Sequence, residues 1–127
     1  MADKSIIHTA EAPAPIGPYA QAVKTGNLLF ISGQIAINPQ TNDIVSGSIP
    51  EETHQVMKNL KAILTSEGAG FENVIKTNIF LSGMEHFSAV NEVYGQYFSG
   101  DYPARETVAV KGLPRNVNVE ISMIASL

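Results

Sequence analysis

The feature that most constrains this chain is a change of period along it. The run NVIKTNIFLS at 73–82 is rich in β-branched residues and alternates apolar with polar, as do the two runs inside YPARETVAVKGLPRNVNVEI at 102–121; this is the pattern of half-buried strands. Elsewhere the spacing becomes helical. Val56, Met57, Leu60, Ile63 and Leu64 fall on one helix face, and Phe87, Val90, Tyr94 and Tyr97 form a second stripe over about 84–98. Strands interleaved with two one-sided helices predict an α+β fold, a mixed sheet with both helices packed on one face. The other sheet face also needs cover, and 127 residues leave little chain to supply it, so another copy of the chain is the expected cover.

Local signals mark the element ends. Ser48-Ile49-Pro50-Glu51 has the form of a capping box with proline in the first turn, Glu51 and Glu52 suit the positive end of a helix dipole, and Gly68 is placed to end the helix. The second helix stops at 100–103, where glycine and proline fall close together. Upstream, SIIHTA at 5–10 reads as a short strand. APAPIGP at 12–18 forbids helix, with its three prolines and a glycine. YAQAV and NLLFISGQI flank Lys24-Thr25-Gly26 as a hairpin, and 38–47 is a polar loop. One domain over 1–127 is expected.

Composition excludes several classes. No cysteine is present, so disulfides, thiolate metal sites and cysteine nucleophiles are ruled out, and His8, His54 and His86 do not form a local zinc motif. The net charge is -4 and the eight Lys and Arg are scattered, which leaves no electrostatic footprint for nucleic acid. The N-terminus has no apolar signal core and the run LLFI at 28–31 is far too short to span a bilayer, so no membrane partner and a cytoplasmic location are expected. The charged fraction of 16% is low for an exposed monomer, which also points to self-association.

Two charges stand out in the C-terminal runs. Val108 and Val110 share a face with Glu106, while Arg105 and Thr107 point the other way; in the next run Val117, Val119, Ile121 and Met123 are opposed by Asn118, Glu120 and Ser122. A simple hairpin through 111–116 would pair 107 with 120 and make Arg105 and Glu120 diagonal neighbours on one face, roughly 7 Å apart at the backbone. Such a pair reads either as an ordinary surface salt bridge or as a site. In the second reading the arginine fork captures a small carboxylate or phosphate and the glutamate takes a proton or orients a water.

The run Pro103-Ala104-Arg105, with Val108, Val110, Leu113-Pro114 and Val119-Glu120-Ile121, resembles the C-terminal signature of the Rid family, also called YjgF, the reactive-intermediate deaminases. APAPIGPYAQAV at 12–23, ISGQIAINP at 31–39 and VNEVYGQYF at 90–98 agree with it in order. The resemblance implies a chorismate-mutase-like α+β fold, a homotrimer with sites between subunits, and cofactor-independent hydrolysis of 2-iminobutanoate and 2-iminopropanoate to 2-oxoacids and ammonia. It further implies that Arg105 clamps the substrate carboxylate and Glu120 handles the attacking water, with Tyr19, Ser32, Gly33, Asn91 and the backbone of Thr107 completing the pocket. Position 107 departs from the many members that carry cysteine there.

Simpler readings stand beside these roles. Tyr19 also suits an aromatic plug at a sheet edge, Ser32-Gly33 a strand end with a bend or bulge, and Asn91 a helix residue that bridges loops. A non-catalytic module that holds a 2-oxo acid is the alternative function, and an endoribonuclease is a third, disfavoured by the acidic balance.

Overall fold

The computed structural model describes residues 3–127. Six strands, β1 (Ser5–Ile7), β2 (Ala22–Thr25), β3 (Leu28–Gln34), β4 (Val74–Leu81), β5 (Ala104–Ala109) and β6 (Val119–Ser126), form one sheet in the order β1-β2-β3-β6-β4-β5. Helix α1 (Ile49–Ser66) joins β3 to β4 and helix α2 (Phe87–Gly95) joins β4 to β5. The β4–β5 pair is parallel and every other pair is antiparallel. The mixed α+β sheet with two helices is therefore as the periodicity predicts.

Both expected ends of α1 are recognisable. Ser48 Oγ accepts from Glu51 N–H at 3.2 Å, which satisfies one of the free donors of the first turn of α1. At the other end Gly68 takes φ +70°, and the N–H groups of Gly68 and Ala69 donate to the carbonyls of Thr65 and Leu64, a Schellman closure. Helix α2 is shorter than the stripe over 84–98 suggests: 84–86 is a 3-10 turn and Tyr97 lies beyond its end. The β2–β3 turn falls at 26–27, with Gly26 in the left-handed region at φ +57°.

The core lies between the sheet and α1. Val56, Met57, Leu60, Ile63 and Leu64 are fully buried, and so are Leu29, Ile79, Leu81, Val119 and Ile121 on the strands beneath. Beyond the sheet, Ile6, Phe30 and Val108 keep 60%, 42% and 45% of their surface exposed, an apolar face that the helices do not reach.

One expectation fails. The runs at 105–110 and 117–123 do not form a hairpin: β5 lies on the sheet edge, parallel to β4, and β6 is inserted between β3 and β4. The residue patterns explain the exchange. Strand β6 buries Val119, Ile121, Met123 and Ala125 almost completely, as a central strand must, whereas no residue of β5 is fully buried. The segment between them crosses the end of β4, where Val110 N–H donates to Leu81 O and Ser82 N–H to Asn118 O, and turns through left-handed Arg115 and Asn116.

Candidate functional site

The changed topology moves Arg105 and Glu120 apart. Arg105 is in register with Thr77, whose side chain is buried on the helix side, while Glu120 is in register with Phe80 and alternates with the buried Val119 and Ile121. The two side chains therefore leave the sheet from opposite faces. Two strand spacings and three residues along the strands also put their Cα atoms roughly 14 Å apart. The hairpin geometry that would have made them diagonal neighbours is thus corrected. Among the described residues the ion pairs are Lys24–Glu67 and Lys76–Glu106, and neither involves Arg105 or Glu120.

Each charge instead anchors its own cleft. Glu120 lies with Tyr19, Ser32 and Gly33 in a cleft of about 350 Å³, walled by Pro13, Ala14, Ile16, Ile35, Ile37 and Pro114. Its floor is the irregularity that the Ser32-Gly33 pair suggested: Ile31 is in register with Met123 and Gln34 with Ile121, so β3 carries one extra residue opposite β6. Glycine at that point leaves room for the carboxylate: a Cβ on Gly33 would lie 2.6 Å from Glu120 Oε2, so a larger residue would push the Glu120 side chain aside. Ser32 Oγ donates to Ala20 O at 2.6 Å, and Tyr19 OH accepts from Ile16 N–H at 3.3 Å. Burial holds the Glu120 carboxyl above the usual carboxylate range.

Arg105 lies in the second cleft, about 400 Å³, with Asn91, Tyr94, Gly95, Tyr102 and Pro103. One guanidinium N–H donates to Asn91 Oδ1 at 2.6 Å. The Tyr94 and Phe87 rings lie 5.2 Å and 5.8 Å from the guanidinium carbon, so one face of α2 forms an aromatic and amide cradle. Tyr94 is itself tied down, its hydroxyl donating to Thr77 Oγ1 at 2.9 Å. Burial raises its pKa, partly offset by that hydrogen bond and by the charge of Arg105. Thr107 follows Arg105 on the same strand face, and its Oγ1 is buried with no hydrogen-bond partner among the described residues.

The seven predicted residues thus separate into two groups, Tyr19, Ser32, Gly33 and Glu120 on one side and Asn91, Arg105 and Thr107 on the other. Sequence reasoning missed the supports of both. The sequence pattern assigns Phe87 and Tyr94 to the core stripe, and their i, i+7 spacing around Asn91 is the signal that marks them as its supports. Gln21 gave no signal, yet its buried amide donates to the carbonyls of Thr9, Ala12 and Pro13 and accepts from Thr9 N–H, folding the proline-rich loop over the first cleft. Asn59 does the same for the opposite wall, donating to the carbonyls of Ile35 and Ile37. No group of three or more His, Asp or Glu side chains is placed to hold a metal ion among the described residues, and none of their helices is long and apolar enough to cross a membrane.

Comparison with known proteins gives a consistent result. A family model described as Endoribonuclease L-PSP matches residues 9–127. A RutC family protein of Pyrococcus horikoshii is 50% identical over 122 residues, 96% of this chain and 97% of that protein. A 2-iminobutanoate/2-iminopropanoate deaminase of Dermatophagoides farinae is 46% identical over 124 residues, 98% of this chain and 97% of that protein. Among solved structures, YyfA of Yersinia pestis, a protein of the conserved Rid family, superposes with a TM-score of 0.95 at 45% identity, covering 98% of this chain and 99% of that one.

Proposed function

Since this chain belongs to the Rid family, also called YjgF, whose sequence model is the Endoribonuclease L-PSP one, we propose that it hydrolyses small 2-imino acids such as 2-iminobutanoate and 2-iminopropanoate. The products are the 2-oxoacid and ammonia. The observation that carries this reading is a pre-oriented guanidinium and a desolvated carboxylate, each lining its own cleft and leaving the sheet from opposite faces. Arg105 binds the substrate carboxylate through its free fork. Glu120 takes one proton from water as its oxygen attacks C2 of the iminium and returns it to the nitrogen of the carbinolamine; the C–N bond then breaks, ammonia leaves, and the hydroxyl proton passes to Glu120 and on to solvent as the 2-oxoacid forms. An iminium carbon is already electrophilic, so placement of carboxylate and water is the main demand on the protein.

The complete site then forms between subunits, each 127-residue chain acting as one domain that offers its Arg105 cleft to the Glu120 cleft of a neighbour. Such a contact joins two different surfaces and closes as a ring, here a homotrimer. The exposed apolar face bearing Ile6, Phe30 and Val108 supports this assembly. The ribonuclease description attached to the family model fits the chain less well, because twelve acidic residues against eight basic ones give little to neutralise phosphates.

Added to a threonine dehydratase reaction, the protein should speed release of 2-oxobutanoate, and Arg105→Ala should remove the gain. No acceleration by correctly assembled parent protein would overturn the proposal. Stabilisation by a 2-oxo acid without any hydrolysis would favour a binding module instead.

A further inference from the structure

We propose that Glu52 is a positioning residue for Glu120: from the first turn of α1 its buried carboxylate grips the two residues that precede Glu120, and so sets where that side chain enters the cleft. Glu52 is 2% exposed. Its Oε2 accepts from Asn118 N–H at 2.7 Å and Val119 N–H at 2.9 Å, and its Oε1 accepts from Asn118 Nδ2 at 3.1 Å. Asn118 is held from its other side by Ser82, whose Oγ donates to Asn118 Oδ1 at 2.7 Å and whose N–H donates to Asn118 O at 3.0 Å. The carboxylate thus ties α1 to the start of β6, and Asn118 carries the tie on to Ser82 just past the end of β4.

The helix alone does not account for this burial. An acidic side chain in the first turn satisfies the dipole while facing water, as the exposed Glu51 does, whereas a dry carboxylate costs free energy unless donors surround it. The donors here belong to a place that needs fixing. Arg115 and Asn116 are left-handed, and the β4–β6 pairing extends no further than Val119, so Glu120 stands one residue inside the ladder. Without the grip, Asn118 keeps its hydrogen bonds to Ser82 and the loop before it keeps the packing of Val117 and Leu113 on Ile35 and Ile37, but no group of α1 fixes the backbone at 118–119.

The inference rests on the role proposed for Glu120, and its test has a readout that does not depend on turnover. Glu52→Gln, Glu52→Asp and Glu52→Ala would be compared by steady-state kinetics and by carbon-13 NMR titration of Glu120, whose signal is assigned by its loss in Glu120→Gln. Tyr19 is the other titratable group lining that cleft, so its ring resonances are followed in the same titration. Glutamine can still offer an oxygen to the two backbone N–H groups, with the Asn118 amide turned over, so Glu52→Gln should keep kcat within about threefold and leave the Glu120 midpoint in place.

Glu52→Asp falls one methylene short and Glu52→Ala removes the acceptor. Both should lower kcat by roughly tenfold to a hundredfold, the cost of a misplacement near 1 Å, with KM little changed because Arg105 binds elsewhere. The Glu120 midpoint should move down toward the ordinary carboxylate range as the side chain slips toward water. If Glu52→Ala does not fold, Glu52→Asp decides. A Glu120 midpoint unmoved in well-folded Glu52→Asp or Glu52→Ala, with only the melting temperature lowered, would overturn the proposal. So would a loss in Glu52→Gln as large as in Glu52→Ala. If imine hydrolysis itself were absent, the NMR midpoints would still report whether Glu52 places Glu120.

Discussion

Arg105 is oriented before any ligand arrives, because Asn91 and two rings of α2 fix its guanidinium. Lysine keeps the charge but neither the fork nor the stacking. Arg105→Lys should therefore lose about 2 kcal/mol of transition-state binding, roughly a 30-fold fall in kcat/KM, measured on an imine generated in situ. Glu120 has the opposite character, a carboxylate kept partly dry against its preference. A carboxyl whose folded pKa is raised favours folding fully below its unfolded pKa, and that contribution is lost as pH rises through the folded value. Glu120→Gln should thus melt above the parent at neutral pH, match it in acid below the ordinary carboxylate range, and lose turnover. Thermal melts across pH test the sign. Both residues were visible in the sequence as charges among apolar neighbours, and Glu120 does lie opposite the apolar face of its strand, but that Arg105 faces the helices was not visible. Face follows from register, and a strand partner cannot be deduced from alternation alone.

At the scale of elements, legibility tracked how local the cause was. Ser48, Gly68 and the 3.6-residue stripe act within a few residues of themselves, so α1 could be drawn almost to its ends. Ser48→Ala should cost about 1 kcal/mol of stability, read as a lower denaturant midpoint with an unchanged slope. The pairing of β5 is not local. It is decided by α2 carrying the chain back alongside β4 and by β6 having the more apolar face for the sheet centre. The order in which the two runs appear in the sequence suggests a hairpin, and their relative hydrophobicity argues against one. Gln21 and Asn59 were invisible for the same reason: the carbonyls they hold, on 9–13 and on 35–37, become neighbours only once the sheet exists.

The whole molecule carries a prediction that neither cleft makes alone. If Arg105 of one chain serves Glu120 of another, Arg105→Ala and Glu120→Ala chains, each inactive, should regain activity when refolded together. Random mixing in equal amounts would restore about a quarter of the sites, since each needs one intact side from each variant. Refolding the variants separately and then combining them gives the baseline, and no recovery on co-refolding would count against a site shared between two chains. A charge on the exposed apolar face, as in Phe30→Glu, should likewise yield smaller particles by light scattering and abolish turnover while both clefts keep their residues.

The central position of β6 also matters while the protein is being made. The six strands emerge from the ribosome in sequence order, so β3 and β4 are present early with an empty slot between them, each showing a row of unpaired amides and carbonyls. The slot is filled only when the last of the six strands is out, after β5 and its crossing segment. Until then the nascent chain is open to capture by a chaperone or by the same strand of a neighbouring chain. A frameshift or early stop before residue 119 would therefore remove the strand on which both halves of the sheet close.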